Sequence, residues 1–122
     1  MIQRLSSIFL LLVLFFNTSC ETQPAFEANA MPASIPELIY TKHARCRMDC
    51  RQIDESEVRE IVSQNHINRA KSNPNDSRCP TYAYEGYSYD RQHLRIVIAR
   101  CKTVWKVVTC IDLENEFICS CR

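Results

Sequence analysis

Apolar and polar positions change their rhythm three times along the 122-residue chain. Behind a short basic start at Arg4, Ile8 to Phe16 form an unbroken apolar run. A membrane-spanning helix needs about 20 apolar residues, so this run fits the hydrophobic part of a secretory signal instead. The next stretch, ETQPAFEANAMPASIPE, carries Pro24, Pro32 and Pro36 among three glutamates and has little to bury. Proline fixes φ and donates no backbone hydrogen bond, which predicts an extended tether over 20–37.

Helical spacing begins after Leu38. KHARCRMDCR, residues 42–51, contains neither Pro nor Gly. Projected at 100° per residue, Cys46 and Cys50 form one edge of a broad inward side. His43, Arg47 and Arg51 occupy its middle, and Ala44 and Met48 its other edge. IDESEV then predicts a second helix with its own start signals. Asp54 and Glu57 suit a capping box, with Ile53 and Val58 as the hydrophobic staple around it. Val58, Ile61 and Val62 make its apolar stripe, which ends near Asn65. A short extended piece is possible over 66–70, and KSNPNDSRCP reads as a loop.

From Thr81 the period becomes two. TYAYEG, HLRIVIARC, VWKVVTCID and EFICSC are rich in β-branched and aromatic residues and are separated by polar turns. Leu94, Ile96 and Ile98 share one face, and so do Trp105, Val107, Thr109 and Ile111. Cys119 and Cys121 fall on one face of the last strand. The expected fold is α+β over residues 38–122: two N-terminal helices packed on one face of a three- to four-stranded antiparallel meander. Some 85 residues make only a small core, for which disulfides are the usual supplement.

Cysteine content supports that supplement. Beyond Cys20 there are seven: Cys46, Cys50, Cys79, Cys101, Cys110, Cys119 and Cys121. In an exported small domain such density indicates a disulfide framework. Cys46 and Cys50 are expected to cross-link with Cys119 and Cys121, and Cys79 with Cys101 or Cys110. The alternative is a four-thiolate zinc site at Cys46, Cys50, Cys119 and Cys121, although that spacing is no standard knuckle. Apart from that alternative, no metal or cofactor is expected.

The start of the chain bears on where this happens. Small and polar residues directly before Cys20 resemble a lipoprotein signal over 1–19, with the diacylglycerol carried on Cys20. An ordinary signal cut after Ala-Asn-Ala, 28–30, is the other possibility. The lipoprotein reading places the domain in the bacterial cell envelope, facing the periplasm or the cell surface and tied to the membrane by its lipid. With Cys20 lipidated, seven cysteines leave one unpaired.

Charge and glycine content exclude other functions. From residue 38 there are 14 Lys+Arg and 11 Asp+Glu, a net charge of +3 (14 − 11) and no polybasic surface for nucleic acid. Gly86 is the single glycine, which rules out dinucleotide fingerprints and P-loops.

His-Ala-x-x-Arg-Met-x-x-Arg at 43–51, the Ile-Asp-Glu-Ser-Glu helix start, Tyr-Ala-x-Glu-Gly and Val-Val-Thr at 107–109 together resemble the domain of unknown function (DUF) family 4258. The resemblance spans about residues 38–113. Each element is common, but their order and spacing together are not. The cysteine-rich, anchored form resembles lipoproteins of Bacteroidetes-type bacteria. The resemblance implies a fold similar to small αα-ββββ domains of the toxin-type ribonuclease superfamily, which includes mRNA interferases.

Besides the zinc-binding module, two functional readings result. In the first, the domain is a binding or structural module with an unidentified protein partner. In the second it is a ribonuclease, with His43 as acid or base, Arg47 and Arg51 clamping phosphate, and Tyr82, Tyr84 or His93 contributing from the sheet. Export and low net charge favour the first.

Overall fold

The computed structural model describes residues 34–122. The signal expected over 1–19, Cys20 and most of the tether expected over 20–37 lie outside the described residues. Seven elements follow in order: β1 (Leu38–Tyr40), α1 (Lys42–Arg51), α2 (Glu55–Gln64), β2 (Ile67–Asn73), β3 (Thr81–Tyr87), β4 (His93–Arg100) and β5 (Trp105–Asp112). They form one five-stranded sheet in the order β1-β5-β4-β3-β2, with both helices packed against one face.

The α+β class holds, but the sheet is not an antiparallel meander of three or four strands. β2 to β5 run antiparallel, and β1 adds a fifth strand parallel to β5 with Leu38 beside Trp105. Three residues suffice for β1, because Leu38 is buried and Thr41 N–H continues the pairing onto Val107 O at 3.2 Å. So short an apolar segment carries no readable period. EFICSC, conversely, forms no strand: after Asp112 the backbone turns away, and Ile118 stands fully in solvent. Its β-forming composition finds no sheet edge, since β1 already occupies that side of β5.

A bulge also corrects the face of β5. Val97 pairs with Thr109 and Ile98 with Val107, which leaves Val108 without a partner. One extra residue reverses the alternation that follows it. Cys110 and Asp112 therefore turn inward, while Thr109 and Ile111 turn out. The bulge also presents Val108 O to Thr41, whose hydroxyl donates to it (3.3 Å) and accepts from Ala44 N–H (3.0 Å), capping α1.

Both helices end by local rules. At the end of α1 the backbone turns left-handed at Gln52, and Ile53 N–H bonds Met48 O at 2.9 Å. Ile53 is thereby buried as the staple for α2, opposite Val58. The capping box is complete: Glu57 N–H donates to Asp54 Oδ1 (2.9 Å) and Asp54 N–H to Glu57 Oε2 (3.1 Å). The other oxygen of Glu57 accepts from Ser88 Oγ at 2.8 Å, joining the helix start to the β3–β4 turn.

Val58, Ile61 and Val62 of α2 meet Tyr84, Leu94, Ile96 and Ile98 in the core, all fully buried. Burying each such side chain contributes roughly 1.5–3 kcal/mol. Gly86 lies where α2 comes closest to β3. A Cβ there would collide with Gln64 Oε1 and touch Ile61 Cδ1 at 3.5 Å. Gln64 donates to Tyr87 O at 2.9 Å, so it moves only by giving up that bond. Gly86→Ala is expected to lower stability by about 1–2 kcal/mol, read from urea unfolding midpoints, and Gly86→Val by more.

Candidate functional site

The His/Arg strip of α1 lies beside the core rather than in the middle of the inward side. That side centres on Ala44 and Met48, and His43 is exposed. Arg47 Nε donates to His43 Nε2 at 3.4 Å on the surface. Arg51 acts differently, because its guanidinium donates to the carbonyl of Cys110 and clamps α1 to the inward-turned end of β5. Burial, and then repulsion from Arg47, lower its proton affinity, while the Asp112 carboxylate nearby works the other way. The structure therefore separates the three residues into a surface pair and a structural clamp.

The cysteines form three disulfides: Cys46–Cys121, Cys50–Cys119 and Cys79–Cys101. Cys119 and Cys121 sit on the irregular tail rather than on a strand, and the two bridges pin that tail across α1. Zinc takes thiolates, and in this structure the four sulfurs of that alternative are paired as disulfides instead. Cys110 is the free cysteine among the described residues. It is fully buried, and burial pushes its thiol up to about 12, against a smaller opposite pull from Arg51.

The sequence did not point to the outer face of the sheet, the one opposite the helices. Strand parity places Glu85 and Tyr87 of β3 there beside Arg95 and His93 of β4. Arg95 Nε contacts Glu85 Oε1 at 2.5 Å, and Asn68 from β2 donates to the same oxygen at 3.0 Å. The Tyr87 and His93 rings stack with centroids 4.3 Å apart. Glu114, just past β5, accepts from the Tyr87 hydroxyl at 3.0 Å and approaches His93 Nδ1 at 3.7 Å. That bond to a carboxylate raises the Tyr87 phenol above its ordinary value.

Burial alone would raise the Glu85 carboxyl, but Arg95 and Asn68 overcome it and hold the group below its ordinary value of 4.5. A depressed carboxylate stabilises the fold above its unfolded pKa, and that contribution disappears as pH falls through the folded one. The wild type is thus expected to lose stability below about pH 4.5, and Glu85→Gln to show a shallower acid slope in urea melts at stepped pH.

Farther along this face lies a pocket of about 410 Å³ lined by Thr81, Ala99, Val108, Lys106, the Cys79–Cys101 bridge and the loop residues Asp76 and Arg78. On the helix-side face, Tyr82, Tyr84 and Trp105 enclose the Arg100 guanidinium, with Tyr82 and Trp105 each at 4.5 Å. Arg100 Nε also donates to the Tyr84 hydroxyl at 2.8 Å. Tyr82 and Tyr84 thus hold a cation within the fold. His93 lies on the face opposite both the two tyrosines and α1, so the three do not gather as one site, and Tyr82 and Tyr84 are engaged with Arg100.

Residues 40–112 match the family model described as "Domain of unknown function (DUF4258)". The chain belongs to this family. Its matched part runs from the end of β1 to the end of β5, so the disulfide-pinned tail is an addition beyond the DUF4258 domain. No curated protein and no solved structure matches the chain.

Proposed function

We propose that this DUF4258 protein is an exported, envelope-anchored lipoprotein whose disulfide-locked domain binds a partner through the open face of its sheet and catalyses no reaction. One observation carries the reading. Both helices pack on a single face, which leaves the other as a rigid surface of Tyr87, His93, Arg95 and Glu85 leading to a pocket. Aromatic, Arg and hydrogen-bonding groups on a stiff support are typical of recognition surfaces. Three disulfides suit an oxidising compartment, as export would supply, and the signal and Cys20 suit attachment to the membrane.

The ribonuclease reading is weakened by Arg51, whose guanidinium is committed to a backbone carbonyl rather than free for phosphate. RNA incubation separates the two. Purified protein should leave a mixed-sequence RNA intact over long exposure. Cleavage by the wild type that disappears in His43→Ala/Arg47→Ala would instead establish the enzyme.

A further inference from the structure

We propose that the pocket at the disulfide end of the open sheet face binds a small anion with an apolar body. The inference rests on that face being the binding face, and it assigns a ligand class to one part of it. The walls include Ala99, Val108 and the Cys79–Cys101 bridge, with Thr81 beside them, its hydroxyl already donating to Cys79 O at 3.3 Å. The charged groups at this site are two cations, Lys106 and Arg78, and one carboxylate, Asp76, a balance of +1 (2 − 1).

The carboxylate is largely occupied. Asp76 Oδ1 accepts from Arg78 N–H at 3.0 Å and lies 3.7 Å from Arg78 Nε. Lys106 forms no ion pair among the described residues. Arg78, 89% exposed, stays paired with Asp76, which leaves Lys106 as the cation free to meet a ligand.

Apolar walls beneath unpaired positive charge favour an acid group at the mouth and a hydrocarbon part inside. A cationic ligand would meet Lys106, and an uncharged one would leave the lysine unused. The volume, near the lower end for small-molecule sites, restricts the ligand to a small one. Three adjacent strands and a disulfide hold the walls, so little ordering opposes binding.

The test is a titration of the isotope-labelled, oxidised full chain in detergent micelles with hexanoate, followed by amide chemical shifts. Saturable shifts at Thr81, Ala99, Lys106 and Val108 are expected. Hexanamide, which lacks the charge, and inorganic phosphate, which lacks the apolar part, should each bind at least about tenfold more weakly. Lys106→Met, at an exposed position, should weaken hexanoate by a similar factor while leaving the rest of the spectrum in place.

Absence of saturable shifts, equal binding of hexanamide or phosphate, or an unaffected Lys106→Met variant would each overturn the proposal. Shifts centred on Tyr87, His93 and Arg95 instead would overturn the pocket and leave the open-face reading standing. RNA cleavage dependent on His43 and Arg47 would remove that reading separately.

Discussion

Removing both bridges that pin the tail, by alanine at Cys46, Cys50, Cys119 and Cys121, should destabilise the domain by about 6–7 kcal/mol. Removing either alone should cost only about 2–3 kcal/mol. The inequality follows from nesting. Cys46–Cys121 spans 75 residues and Cys50–Cys119 spans 69 residues inside it. A loop of that length restricts the unfolded chain by about 4 kcal/mol. Once one bridge has closed it, the other closes only the short ring of 46–50 and 119–121. The full loss rivals the entire stability of an ordinary small domain. Urea unfolding of the two paired variants and the quadruple variant measures this. Equal, additive losses of about 4 kcal/mol each would mean that the bridges act on the folded state rather than on the unfolded chain.

The buried thiol gives the second large effect. Cys110 has no solvent exposure, and its pKa near 12 leaves very little thiolate at neutral pH. The thiolate is the reactive form, so the raised pKa leaves only a trace of it at neutral pH, and burial shields even that from the reagent. Native protein should therefore take up no iodoacetamide at Cys110 over hours. Unfolding in denaturant without reductant should expose one reactive thiol per described domain. Rapid labelling of the folded protein would show that β5 opens readily around its bulge.

Much of this arrangement was legible, and the failures have physical reasons. Asp54, Glu57, Ile53 and Val58 announced the start of α2 because capping depends on neighbours three or four residues apart. Residues 42–51 were readable as a helix from the absence of Pro and Gly and from their 100° projection, and Leu94, Ile96 and Ile98 gave the core face of β4. The parallel edge strand at Leu38–Tyr40 was not readable, because its pairing with β5 depends on residues far away in the chain. Thr109 and Ile111 were placed on the wrong face because a bulge leaves composition untouched while shifting the phase.

Candidate chemistry behaved similarly. His43, Arg47 and Arg51 are close in sequence and share a helix side, yet Arg51 leaves the group for a carbonyl on β5. The cluster of Glu85, Tyr87, His93 and Arg95 was encoded in strand alternation, as the opposite face to Leu94 and Ile96. Only the register between β3 and β4 brings the four together.

Export and anchoring underlie every part of the proposed role, and one measurement tests them most directly: intact mass combined with non-reducing peptide mapping of protein taken from its native envelope. The expected result is diacylglycerol on Cys20, bridges at Cys46–Cys121, Cys50–Cys119 and Cys79–Cys101, and a single free thiol at Cys110. An unmodified Cys20 with alkylatable thiols at Cys46, Cys50, Cys119 and Cys121 would contradict it.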